Sequence, residues 1–134
     1  MREVDTITFA TKAATTDGDY VVVNDYLGAA WAIALDKAGT ASNEPTGAAW
    51  LAVAAANKAY VDISSATSGA DVAALIETAI NALTGFTGVI TAADAGADLV
   101  CTAAWAGVVS TPLVYSKAGA AGTGSIPQEF SASI

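Results

Sequence analysis

The sequence predicts an α+β domain in which a mostly antiparallel β-sheet packs with one main helix. Three features carry this. β-branched runs occupy the first half of the chain. A single stretch, about 69–84, repeats its apolar residues at helical spacing. A second group of strands, joined by a tight Asp/Gly turn, follows it.

Thr6-Ile7-Thr8-Phe9 alternates as an edge strand does, so Ile7 and Phe9 are candidate interaction residues. Thr15-Thr16-Asp17-Gly18-Asp19 reads as a turn, and Tyr20-Val21-Val22-Val23-Asn24 as a strand. Asp25-Tyr26-Leu27-Gly28 closes a hairpin onto the next strand, where Trp31, Ile33 and Leu35 alternate with Ala32 and Ala34. Period 2 puts the bulky side chains on one face and a flat alanine surface on the other, against which another element can lie closely. Asp36 to Pro45 is a loop with Gly39, Ser42, Asn43 and Pro45 as breakers. Gly47 to Asn57 fits either a short helix with Trp50 and Val53 on one side or a strand. Tyr60-Val61-Asp62-Ile63 is a strand whose Asp62 faces away from Val61 and Ile63.

The strongest local signal comes next. Ser68 stands three residues before Asp71, a capping-box spacing, and Val72, Leu75, Ile76, Ala79, Ile80 and Leu83 follow at steps of three and four. Gly85 is placed to end the helix in the left-handed region, with Phe86 folding back on the last turn. Gly88–Ala92 and Asp98–Thr102 then form two strands about the turn Asp94-Ala95-Gly96-Ala97, and Leu113-Val114-Tyr115 a short one. The expected organisation is one domain over 1–117 and a Gly/Ala/Ser-rich tail over 118–134. Phe130 and Ile134 in that tail are candidate docking residues, on this domain or on a neighbour.

Composition narrows function. The 134 residues are 54% hydrophobic yet only 7% aromatic, and 13% are charged, against roughly 25% in an average soluble protein. Small neutral surface is inexpensive to desolvate, which favours subunit contacts and a homo-oligomer. Five Lys and Arg against 13 Asp and Glu give a net charge of −8, which disfavours both nucleic acid and an anionic membrane as direct partners. The longest apolar run, Ala48–Ala56, is too short to span a bilayer. The N-terminus lacks the basic and apolar regions of a signal peptide, so synthesis in a cytoplasm is expected.

Chemistry is excluded class by class. With no histidine, the commonest general base and transition-metal ligand is absent. The single cysteine, Cys101, forbids an intrachain disulfide and Cys-rich zinc sites and reads as a buried thiol. No lysine stands in a Ser-x-x-Lys motif. Asp17/Asp19 and Asp94/Asp98 fit turns better than calcium ligands, and Gly119–Ser125 lacks the Gly-Lys-Ser/Thr of a phosphate loop. Trp31, Trp50 and Trp105, with Tyr20, Tyr26, Tyr60 and Tyr115, are expected to form the core rather than a sugar-stacking platform. The expectation is a protein without enzymatic activity or cofactor.

Gly18-Asp19-Tyr20-Val21-Val22-Val23, Trp31-Ala32-Ile33-Ala34-Leu35-Asp36, Glu44-Pro45-Thr46-Gly47-Ala48-Ala49-Trp50 and Ala79-Ile80-Asn81-Ala82-Leu83-Thr84-Gly85-Phe86 resemble a domain of tailed-bacteriophage structural proteins. There, a strand pair leads to a helix ending in a similar Ala-Ile-Asn-Ala-Leu phrase, followed by an antiparallel pair. The resemblance runs from about Ile7 to Ser125. It implies a virion component that assembles with copies of itself or with other capsid or tail proteins, capsid decoration being favoured over a tail or tail-tube role. It supplies no catalytic residue. A receptor- or carbohydrate-binding module is the alternative.

Overall fold

The computed structural model describes residues 2–9, 11–15, 17–25, 27–39, 44–45, 47–106, 113–116 and 129–133. Within them the expected α+β architecture is present as two four-stranded sheets and one long helix. The strands are β1 (Arg2–Thr8), β2 (Tyr20–Asn24), β3 (Ala30–Asp36), β4 (Lys58–Asp62), β5 (Ile90–Ala95), β6 (Asp98–Ala106), β7 (Leu113–Ser116) and β8 (Glu129–Ser133). The helices are α1 (Ala48–Leu51) and α2 (Gly69–Asn81). One sheet has the order β5-β6-β1-β8, antiparallel throughout. The other has the order β4-β3-β2-β7, antiparallel except for the parallel pair β3–β4.

The β2–β3 hairpin is organised by one carboxylate. Asp25, buried at its turn, accepts from the Leu27 and Ala29 amides through Oδ1 (2.8 and 2.9 Å) and from Trp31 Nε1 through Oδ2 (2.9 Å). Three charge-assisted bonds tie the turn to the first bulky residue of β3 and so hold the strand register. Trp31 then meets Phe86 edge to face, with ring centroids 5.5 Å apart.

Helix α2 starts where the capping signal lies. Ser68 Oγ accepts from the Asp71 amide at 3.2 Å, while Asp71 Oδ2 reaches back to accept from the Thr67 amide and hydroxyl (2.9 and 2.7 Å). These bonds, the Thr67 amide first and its hydroxyl second, hold the Asp71 carboxyl below the usual carboxylate range. The helix stops at Asn81, three residues short of the expected end at 84. A turn through Ala82–Thr84 intervenes before Gly85 takes its left-handed conformation at φ 90° and sends Phe86 into the core. On its inner side Val72, Ala73, Ile76 and Ile80 are buried.

Strand β3 serves two cores by alternation. Trp31, Ile33 and Leu35 join Ile7, Phe9, Val21, Val23, the inner face of α2 and Leu99 in the main core, which draws on both sheets. Ala32 and Ala34 face the other way, beneath a smaller cluster of Tyr20, Val22, Trp50 and Val53. The segment 47–57 is helical where the sequence allowed helix or strand: α1 is followed by a 3-10 turn at Ala55–Asn57, and Trp50 and Val53 share its inner side. Gly47 begins it because any Cβ there would strike the Tyr20 hydroxyl.

One expectation needs correction. Strand β1 is an inner strand, paired with β6 on one side and β8 on the other, because non-local pairing covers both of its edges. Within the tail, Glu129–Ser133 pairs with β1 as β8, with Phe130 opposite Ile7.

Candidate assembly surface

The residues expected to mediate contacts are placed differently from one another. Ile7 and Phe9 are 1% and 2% exposed and belong to the main core, so neither is available to a partner. Phe130 lies in β8, at the outer side of β1. Ile134 lies outside the described residues. The alanine face of β3, expected to receive another element, does so within the chain: Trp50 lies over it.

Several of the groups weighed for chemistry make hydrogen bonds within the chain. Asp17 accepts from the Lys37 amide and Asp98 from the Thr8 hydroxyl (2.6 Å), which accounts for one member of each acidic pair. Among the described residues no group of three or more His, Cys, Asp and Glu side chains converges to hold a metal. Cys101 is buried. Lys12 donates to the Ser64 carbonyl (2.6 Å), Lys37 to those of Ala13 and Thr15 (3.3 and 3.0 Å), and Lys58 to that of Trp50 (3.2 Å). Each of these ammonium groups is thus tied to backbone. A shallow depression lined by Ser65, Ala66, Asp71, Ala74 and Leu75 is open to solvent.

Trp31 and Trp50 are buried, as expected of core residues. Trp50 sits between Tyr20 and Tyr60, both ring centroids 5.8 Å away, with Lys58 Nζ 4.7 Å from its own centroid. Its indole N–H has no acceptor among the described residues. Burial, followed by the Glu44 and Asp36 carboxylates, raises the Tyr60 hydroxyl above its ordinary pKa.

Among the described residues, two large apolar side chains stay exposed. Leu51 is 61% exposed and Leu27 70%. Around Leu51, the side chains of Ala48, Ala52, Ala54, Ala55 and Ala56 are also exposed. No ionisable residue occurs between Pro45 and Asn57. Leu27 lies in the β2–β3 turn, at the end of the sheet where Asn57 Nδ2 donates to the Ala30 carbonyl (3.3 Å). Trp50 anchors this segment from below, so its outer face is presented by a fixed backbone.

The strand edges beside α2 differ. At β5, Glu77 Oε2 accepts from the Asp94 amide (2.7 Å) and Asn81 Nδ2 donates to the Ala92 carbonyl (3.0 Å). Side chains of α2 therefore occupy the outward groups of that edge, a device that prevents strand addition. At β4, no described residue bonds the outward backbone. Neither the exposed segment around Leu51 nor the open edge of β4 is marked by a local sequence motif; the alanine run and the Lys58-x-x-x-Asp62 spacing are their only traces in the chain.

Comparison of this chain with protein-family profiles, with curated proteins and with solved structures finds no match. Among the described residues, no helix is long and apolar enough to cross a membrane.

Proposed function

We propose that this protein is a non-enzymatic structural component of a tailed-bacteriophage virion, assembling with copies of itself or with capsid proteins, with capsid decoration favoured over a tail or tail-tube position. The observation that carries the reading is the exposed segment from Ala48 to Ala56, with Leu51 at its centre and Trp50 fixing it from within. Removing such a surface from water costs no ion desolvation, and its shape is set before a partner arrives. The resemblance of the strand–helix–strand phrases to phage structural domains supplies the setting. Synthesis in the host cytoplasm followed by residence in the particle fits that setting.

The carbohydrate- or receptor-binding alternative relies on an aromatic platform at the surface, and the burial of Trp31 and Trp50 takes two of its candidates away. Negative-stain microscopy of the source particle, with this protein gold-labelled, tests the proposal. Label distributed over the capsid is expected; label on the tail selects the tail role, and particles without label overturn the reading.

A further inference from the structure

We infer that β4 is a self-complementary edge at which a second copy of this chain adds in antiparallel register about a two-fold axis at Tyr60. The inference deepens the assembly reading and rests on it, since it names the partner and the contact.

Ile63 donates its amide to the Asp36 carbonyl, and β4 runs parallel to β3 with Ala34 opposite Tyr60 and Asp36 opposite Asp62. Parallel pairing uses the amide and carbonyl of alternate residues, so Ala59, Val61 and Ile63 turn theirs toward β3. Lys58, Tyr60 and Asp62 turn theirs outward. Among the described residues no hydrogen bond reaches those outward groups, in contrast to the edge of β5, where Glu77 and Asn81 fill the equivalent role.

The side chains then select the partner. Lys58 and Asp62 stand two residues either side of Tyr60 on one face of the sheet. An antiparallel copy centred on Tyr60 sets Tyr60 opposite its own equivalent and places Lys58 opposite Asp62 twice. Every outward residue then falls in a hydrogen-bonded pair. Shifting the register by two residues in either direction sets Lys58 or Asp62 opposite Tyr60 and leaves the charges unmatched. Charged side chains at an edge ordinarily discourage strand addition. Here their spacing makes one register, and one partner, complementary. In a chain of net charge −8, setting Asp62 opposite Lys58 offsets part of the repulsion between copies. Tyr60 and Lys58 are packed against Trp50, so the strand is held in shape before pairing.

Size-exclusion chromatography with light scattering on full-length chains tests this. Wild type is expected to dimerise, Asp62→Lys to weaken the dimer by about tenfold or more because it faces two like charges across the strands, and Lys58→Asp/Asp62→Lys to restore it. Circular dichroism on each variant establishes that it is folded. A second measurement does not depend on the charge swap. Cα atoms of a hydrogen-bonded antiparallel pair lie about 5.5 Å apart, within disulfide reach. Chains carrying Lys58→Cys mixed with chains carrying Asp62→Cys should therefore oxidise to a covalent heterodimer, while either alone gives none. Cross-linking that is absent, or equal in the unmixed samples, overturns the pairing. If label is found on the particle while Asp62→Lys has no effect on self-association, the edge is wrong and the assembly reading stands; an unlabelled particle removes the assembly reading itself.

Discussion

The two faces of the β4-β3-β2-β7 sheet are covered by opposite strategies. On one, Trp31, Ile33, Leu35 and Val61 project from the strands and interlock with the apolar stripe of α2, so the strands themselves supply the bulk. On the other, Ala32 and Ala34 leave a floor on β3, and Trp50 covers it from above between Tyr20 of β2 and Tyr60 of β4. The difference teaches that an alanine face in a strand is not idle surface. It is a socket whose depth suits one large ring, and the segment that brings the ring also carries the exposed Leu51.

Breaking each face in turn sharpens the comparison. The largest effect is expected at the ring: Trp50→Ala should destabilise by about 3–5 kcal/mol, close to the roughly 2–5 kcal/mol of Ile76→Ala in the main core, both measured by urea unfolding. Trp50→Phe separates the ring from its polar atom. It should cost less than about 1.5 kcal/mol, because it gives up part of the ring's area but also removes a buried N–H that has no acceptor among the described residues.

Filling the socket is the converse experiment. Ala34→Leu should cost about 1–3 kcal/mol by forcing Trp50 outward, and the tryptophan emission should shift to the red. A neutral result would mean that the alanine floor is not closely covered. At the entrance to α2, Ser68→Ala should lower stability by about 1 kcal/mol in the same urea assay.

The smallest effect concerns acid. Asp71 is held below the usual carboxylate range by Thr67, and Asp62 by the Ser64 hydroxyl and then its amide. A depressed folded-state pKa contributes stability above the unfolded value of about 3.9, and that contribution is lost as pH falls through the lower folded value. Urea midpoints should therefore drop on acidification below about pH 4, and less steeply in Asp71→Asn than in wild type.

Much of this fold is legible in the chain where side-chain bulk has a period. The alternation in β3 and the Ser68 start of α2 both correspond to observed elements, because bulky and small residues, or a cap and its partner, differ sharply at neighbouring positions. Where alanine dominates, period fades. Gly47–Asn57 admits helix or strand until Trp50 and Val53 are seen to share one side.

Non-local pairing is the other blind spot. Thr6-Ile7-Thr8-Phe9 alternates like an edge, yet β6 and β8 from the far end of the chain enclose it. Glu129–Ser133 has little bulk, and its place in the sheet comes from backbone pairing that composition does not reveal. The Lys58/Asp62 spacing acquires meaning only once β4 is known to be an edge.

Sedimentation equilibrium of the purified chain over a wide concentration range tests most directly whether the molecule is built to associate. A mass that climbs from the 13.2 kDa of one chain to twice that value or beyond is the predicted result. A mass that stays at one chain up to millimolar concentration, with no protein retained on the particle, contradicts it.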